Sequence, residues 1–269
     1  MTELLAQGPL PTRARFSLSR HPGWLCGLLL LLCLGLALSD LGRRLPLGEW
    51  LAAMSSPAEG DMTQLILHFS WLPRLCMALL CGAALALAGT LMQQVLRNPL
   101  ASPTTLGVSS GAQLGLLVAT LWTPWALDYG REWVALAGGG LASLLVFALA
   151  WRRALAPLTL ILAGLVVTLY LSALNVTLML VQQQDLNAVF IWGSGSLSQN
   201  SWGGVQFLLP RLAVGLLLLL PLLRPLALLE LDDSGVKSLG VPLRFLRILS
   251  LTLSVYLAAC VVSVVGVIG

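Results

Sequence analysis

Residues 71–115, WLPRLCMALLCGAALALAGTLMQQVLRNPLASPTTLGVSSGAQLG, decide the fold. From Leu75 to Leu96 the stretch carries no charge, and at 1.5 Å per residue it is long enough to cross a hydrocarbon layer about 30 Å thick. It breaks at Arg97-Asn98-Pro99, and the Gly107, Gly111, Gly115 spacing opens the next apolar run. An uncharged helix, a short polar break and a second apolar helix together predict a polytopic membrane protein. Composition agrees: a chain of 269 residues with 58% hydrophobic and 10% charged residues has too little polar surface for a soluble domain.

Working outward, runs free of Asp, Glu, Lys and Arg cover 21–39, 75–96, 98–127, 133–151, 154–184, 186–210, 212–223 and 248–269. They predict an all-α transmembrane bundle with seven spans, at 21–39, 65–96, 105–121, 133–151, 157–181, 203–223 and 245–267. Residues 1–20 then form an N-terminal tail and 21–269 one transmembrane domain. Lys and Arg placement orients it, because positively charged loops resist translocation. With the N-terminus inside, Arg13, Arg15, Arg20, Arg97, Arg152, Arg153, Arg224, Lys237, Arg244 and Arg247 are cytoplasmic. Arg43, Arg44, Arg74, Arg131 and Arg211 are left at the outer surface, the smaller group. Trp71, Trp122, Trp125, Trp133 and Trp202 mark outer span ends, and Trp24 and Trp151 inner ones, as interfacial anchors. A cleaved signal peptide over 13–39, cut near Ala37-Leu38-Ser39, is the competing reading. The long basic tail and the six further spans favour a retained span. Net charge +4 reflects loop bias, and a nucleic-acid partner is not expected.

Chemistry-bearing residues are scarce. Cys26, Cys33, Cys76, Cys81 and Cys260 lie in spans without metal-ligand spacing and read as small packing residues; His21 and His68 are isolated. The lone lysine, Lys237, has Val236 and Leu231 where a phosphate-binding loop needs glycines. Gly193-Ser194-Gly195-Ser196 lacks a nucleophile-elbow frame. No Asp or Glu falls within a span, so a proton-relay carrier is not indicated. Neither a catalytic site nor a cofactor or metal is predicted, and energy for any transport has to come from another subunit.

What the spans do carry is packing chemistry. Gly107, Gly111 and Gly115 form one small face, and Gly82, Ala86 and Gly89 another, letting a second backbone approach closely. Among Gln93, Gln94, Ser109, Ser110, Gln113, Ser172, Asn175 and Thr177, the amides Gln113 and Asn175 are candidates for lining a path or for bonding between helices. Residues 181–204 predict an external turn with a short interfacial helix over 186–192, capped by Asp185 and ended by Gly193 and Gly195. Residues 225–243 predict a cytoplasmic helix–turn–helix, capped by Asp232 or Asp233 and stopped by Gly240 and Pro242. It suits either a seat for a cytoplasmic partner or a solvated linker.

The wording of several segments resembles the permease subunits of bacterial ATP-binding-cassette importers for iron chelates and vitamin B12. LPRL at 72–75 is part of the resemblance, and RNPLASPTTLGVSSGAQLG at 97–115 looks like that family's cytoplasmic loop and third helix. TLILAGLVVTL at 159–169 looks like its fifth helix, and IWGSGSLSQNSWGGV at 191–205 like its short external helix and turn. LDDSGVKSLGV at 231–241 resembles its coupling loop, which implies that Leu231, Asp232, Asp233, Lys237, Gly240 and Pro242 meet the ATPase. Within the family, QQVLRNPLASPTTLGV (93–108) and WGSGSLSQ (192–199) are most similar to the branch for iron(III)-hydroxamate siderophores. The resemblance implies a multi-pass permease of the bacterial inner membrane. Its implied partners are a cytoplasmic ATPase, a periplasmic siderophore-binding protein and a second permease half, fused or separate. Vitamin B12 or haem is the alternative cargo, and a polytopic membrane enzyme or an inactive fragment the alternative class. The family fold has about ten helices per half, so seven spans here lead us to expect the N-terminal part of a longer permease.

Overall fold

The computed structural model describes residues 22–44, 46–55, 57–58, 60–153, 155–182, 193–227 and 243–267. Among them every regular element is helical, and the chain groups into two compact units, 1–65 and 66–269. The first holds α1 (Pro22–Arg44), a 3-10 turn (Leu47–Glu49), a short helix (Trp50–Ser55) and the opening residues of α2 (Met62–Leu96). The α2 start is capped as an aspartate there should be: Asp61 Oδ1 accepts from Thr63 N at 2.9 Å and from Gln64 N at 3.4 Å. α1 exposes Leu28, Leu31, Leu32 and Leu36, the surface expected of a helix in lipid.

In the second unit α2 widens into a π-helical turn at Leu67–Trp71, where Leu72 N donates to Leu67 O, and resumes as α-helix over Leu72–Leu96. The wide turn sits just before Pro73, which has no N–H and whose ring would crowd the carbonyl four residues earlier. α2 ends where the sequence break predicted. Arg97 turns left-handed at φ 48°, Asn98 N donates back to Gln93 O at 3.2 Å, and Pro99 cannot continue the helix.

Next come α3 (Val108–Trp122), α4 (Arg131–Ala150), α5 (Pro157–Gln182), α6 (Gly203–Leu219) and α7 (Leu243–Val265). Six of the described helices, α1, α2 and α4 to α7, are long and apolar enough to cross a membrane. The third expected span, 105–121, differs in form: a 3-10 turn at Pro103–Leu106 and Gly107 at φ 75° precede α3, which has 15 residues and rises only about 22 Å. Proline opens the tight turn and glycine supplies the left-handed residue, so the chain enters the bundle before it becomes α-helical. Ala101, Pro103 and Leu106 are buried there.

α7 is the central helix of this unit. Of its apolar window 72% is buried, against 33% for α2, α4 and α6 and 28% for α5. It packs on α2, α4, α6 and α3, which explains a sequence apolar on every side. Ser254 Oγ donates 2.7 Å to the Ala88 carbonyl of α2, so its hydroxyl is satisfied by a neighbouring helix. α5 turns Leu158, Leu162, Leu165, Val166 and Leu169 outward as a lipid face.

Candidate functional site

The expected packing glycines of α3 meet a partner that the sequence reading did not single out, Gly138 and Gly139 in the triple-glycine run of α4. A methyl group added at Gly111 would lie 2.6 Å from Gly138 O and against Ala142 Cβ. One at Gly115 would lie 3.2 Å from both Gly138 Cα and Val134 O, and one at Gly139 would lie 2.9 Å from Val108 O. Two backbones therefore touch along a seam with no room for side chains, and van der Waals contact is the force available for helix association in lipid. The signal that would have found the partner is the triple glycine inside a 20-residue apolar helix.

The loop before α3 is held by the same means. A Cβ at Gly164 on α5 would run into Thr105 O, and one at Gly107 would meet Val167 Cγ1 at 3.4 Å. Ser143 Oγ of α4 lies within hydrogen-bond distance of both Gly139 O, at 3.0 Å, and Leu106 O, at 3.3 Å. Asn98 Oδ1 accepts from Leu100 N, and Gln93 Nε2 donates to Pro99 O. The 97–107 segment is thus clamped between α4 and α5 at one end of the bundle.

Of the two amides singled out in the spans, Asn175 is buried and bonds between helices, its Nδ2 donating 3.0 Å to Ser110 O of α3. Its Oδ1 and the nearby Ser109 Oγ have no protein partner. Gln113 is half-buried with its Nε2 against the Gly193 backbone, where a Cβ would lie 2.6 Å away. Ser196 N donates 2.7 Å to Val265 O, so the segment from Gly193 reaches the C-terminal end of α7. A cavity of about 270 Å³ opens beside the start of α3, with Leu85, Val108, Ala258 and Val262 as its apolar wall and Ser102 and Ser109 as polar groups.

The small face expected on α2 is arranged differently. Gly82 and Gly89 have no atom within 4 Å of an added Cβ, and Gly82, Ala83, Ala86, Thr90 and Gln93 lie open along one side of the helix. Basic residues gather at the end of the bundle holding the 97–107 loop: Arg152 and Arg153 close α4, and the Arg244 guanidinium lies 4.1 Å from the Trp151 ring centre. Leu231, Asp232, Asp233, Lys237, Gly240 and Pro242 lie outside the described residues, as do Asp185 and the proposed helix at 186–192. Among the described residues no three His, Cys, Asp or Glu side chains converge as a metal site would require.

The profile of the FecCD transport family matches residues 28–269. The chain belongs to that family. It is 46% identical over 249 residues to the iron(3+)-hydroxamate import system permease protein FhuB of Escherichia coli (strain K12), an alignment covering 92% of this chain and 37% of that protein. It is 34% identical over 221 residues to the ferric enterobactin transport system permease protein FepG of the same organism, covering 80% of this chain and 65% of FepG. A solved structure described as an inward-facing conformation of a metal-chelate type ABC transporter superposes with a TM-score of 0.74 at 33% identity, covering 92% of this chain and 77% of the other. The chain therefore spans little more than a third of the length of FhuB. Its helical bundle is that of a multi-pass membrane protein of an ABC-transporter permease family.

Proposed function

We propose that this FecCD-family chain forms part of the membrane permease of an ATP-binding-cassette importer that carries iron(III)-hydroxamate chelates across the bacterial inner membrane. The observation that carries this reading is the 46% identity with FhuB over an alignment that covers 92% of the chain. The N-terminus and the 97–107 loop are cytoplasmic in this reading, because Arg97, Arg152, Arg153 and Arg244 fall on that side. A separate ATPase seats against the 225–243 loop through Asp232, Asp233, Lys237 and Gly240 and supplies the energy. A periplasmic chelate-binding protein docks on the opposite face, where residues 193–202 and the end of α7 lie.

The seam and the open face of α2 have different jobs in this scheme. Gly107, Gly111 and Gly115 fix α3 on α4 and α5 as a rigid block. The Gly82–Gln93 side of α2 lacks the leucines and valines of the lipid faces, so it suits a further permease helix that completes the enclosure. A chimera in which residues 1–269 replace the aligned portion of FhuB tests the function. In a strain without other FecCD permeases it should restore uptake of a radio-iron hydroxamate chelate, and should leave ferric citrate and vitamin B12 uptake unrestored. A chimera that inserts and copurifies with the ATPase yet carries no hydroxamate would refute the cargo.

A further inference from the structure

Arg211 is a charged residue on a membrane-spanning helix, eight residues into α6, and such a residue needs a reason to be there. Its side chain climbs toward the start of α6: Nη1 donates 2.6 Å to the carbonyl of Phe207, one turn earlier. There the guanidinium carbon lies 3.5 Å from the centre of the Phe207 ring and 4.5 Å from that of Trp133, which belongs to the first turn of α4. The two rings stand edge to face at 76° with centres 5.6 Å apart, so they make a corner rather than a closed box. Tyr256 of α7 donates 3.3 Å to the Arg211 carbonyl and holds the backbone behind it.

Among the described residues no carboxylate lies within ion-pairing distance of Arg211. The nearest acidic residue in the first turn of α4, Glu132, has its carboxylate 3.1 Å from the position of a Cβ on Gly130. A guanidinium has five N–H donors, and one is used by Phe207 O. Beside the guanidinium Trp133 is 52% exposed, at the level where α4 and α6 begin. In a helix that spans a bilayer, this level is where the interface falls. Starting about 12 Å from the head of α6, the side chain recovers roughly one helical turn of depth by bending back, and tryptophan prefers the same layer.

We propose that Arg211, Trp133 and Phe207 form a binding site for the phosphodiester of a membrane phospholipid. Aromatic walls exclude water from the flanks of the cation, and the planar fork presents paired N–H donors in the spacing of two phosphate oxygens. The site is independent of the cargo and requires only that the chain span a bilayer. It gives a lipid-facing corner between α4 and α6 an immobilised headgroup.

The chain purified in mild detergent, delipidated and titrated with phosphatidylglycerol under native mass spectrometry tests this. The unaltered chain should hold one phospholipid more tightly than the rest, and Arg211→Met should weaken that first binding step by about ten-fold or more, the loss expected of a charge-assisted pair. Arg211→Lys, which keeps the charge and loses the fork, should weaken it less, and Trp133→Leu should weaken it with the charge intact. Inorganic phosphate at millimolar concentration should leave the bound lipid in place. Equal first-step binding in the unaltered chain and a folded Arg211→Met or Trp133→Leu variant would overturn the site. Displacement by inorganic phosphate would overturn the lipid assignment.

Discussion

Gly111→Ala and Gly82→Ala are the same chemical change in two helices of one bundle, and they should have opposite consequences. At Gly111 the new methyl would sit 2.6 Å from the Gly138 carbonyl oxygen and closer still to Ala142 Cβ, whereas ordinary contact begins near 3.4 Å. The obstacles are backbone and a Cβ, so no rotamer change relieves them and α3 must move off α4 by roughly 1 Å. A radial gap of that size forfeits about a quarter to a half of each dispersion contact along the seam, including Gly115 on Gly138 and Gly139 on Val108. Overpacking of this kind costs about 1–3 kcal/mol, and the rigid obstacle places Gly111→Ala near the upper end. At Gly82 no atom lies within 4 Å of the added methyl, and alanine gains up to about 1 kcal/mol over glycine in a helix. Thermal unfolding of both variants in the same detergent, followed by tryptophan fluorescence, separates the two cases. Gly111→Ala should melt several degrees below the parent and Gly82→Ala at or above it. If Gly111→Ala proved as stable as Gly82→Ala, the close backbone seam would be wrong.

Asn175→Ala should destabilise the bundle by about 0.6 to 1.7 kcal/mol, measured in the same melt, because it removes the interhelical bond to Ser110 O. A reporter fused after Arg153 should be cytoplasmic and one fused near Ser198 periplasmic; the reverse pattern would invert the proposed orientation. In the chimera with FhuB, Gly240→Arg or the pair Asp232→Lys and Asp233→Lys should reduce ATPase copurification and uptake while leaving membrane insertion intact. Unchanged copurification would make 225–243 a linker.

Elements whose signal is local were legible in the sequence, and pairings between elements were not. The charge-free runs placed α1, α2 and α4 to α7 within a few residues, since bilayer crossing imposes length and apolarity on each helix separately. Arg97-Asn98-Pro99 located the α2 stop because left-handed capping and the missing proline N–H act within four residues. α3 was placed but drawn too long. Charge-free sequence runs through Pro103 to Gly107, and hydropathy does not register a 3-10 entry. Asn175 could be named as costly in lipid, but its partner Ser110 O is a backbone atom 65 residues away and carries no side-chain label.

The two small-residue faces show where pattern reading stops, because spacing by itself ranks them equally. Gly107, Gly111 and Gly115 repeat every four residues on α3, and Gly82, Ala86 and Gly89 recur at the same helical period on α2. Only the first meets a complementary backbone among the described residues. A small face specifies a close approach without specifying the helix that makes it, since the information lies in the absence of side chains on both partners. Gly138 supplies that absence on α4, and it lies outside the segments whose wording identified the family. Exposed composition carries the remaining information. α5 turns leucine and valine outward, while α2 between Gly82 and Gln93 turns out glycine, alanine, threonine and glutamine. Lipid favours the first surface and gives the second no compensating contact, so α2's open side has the chemistry of a helix–helix interface.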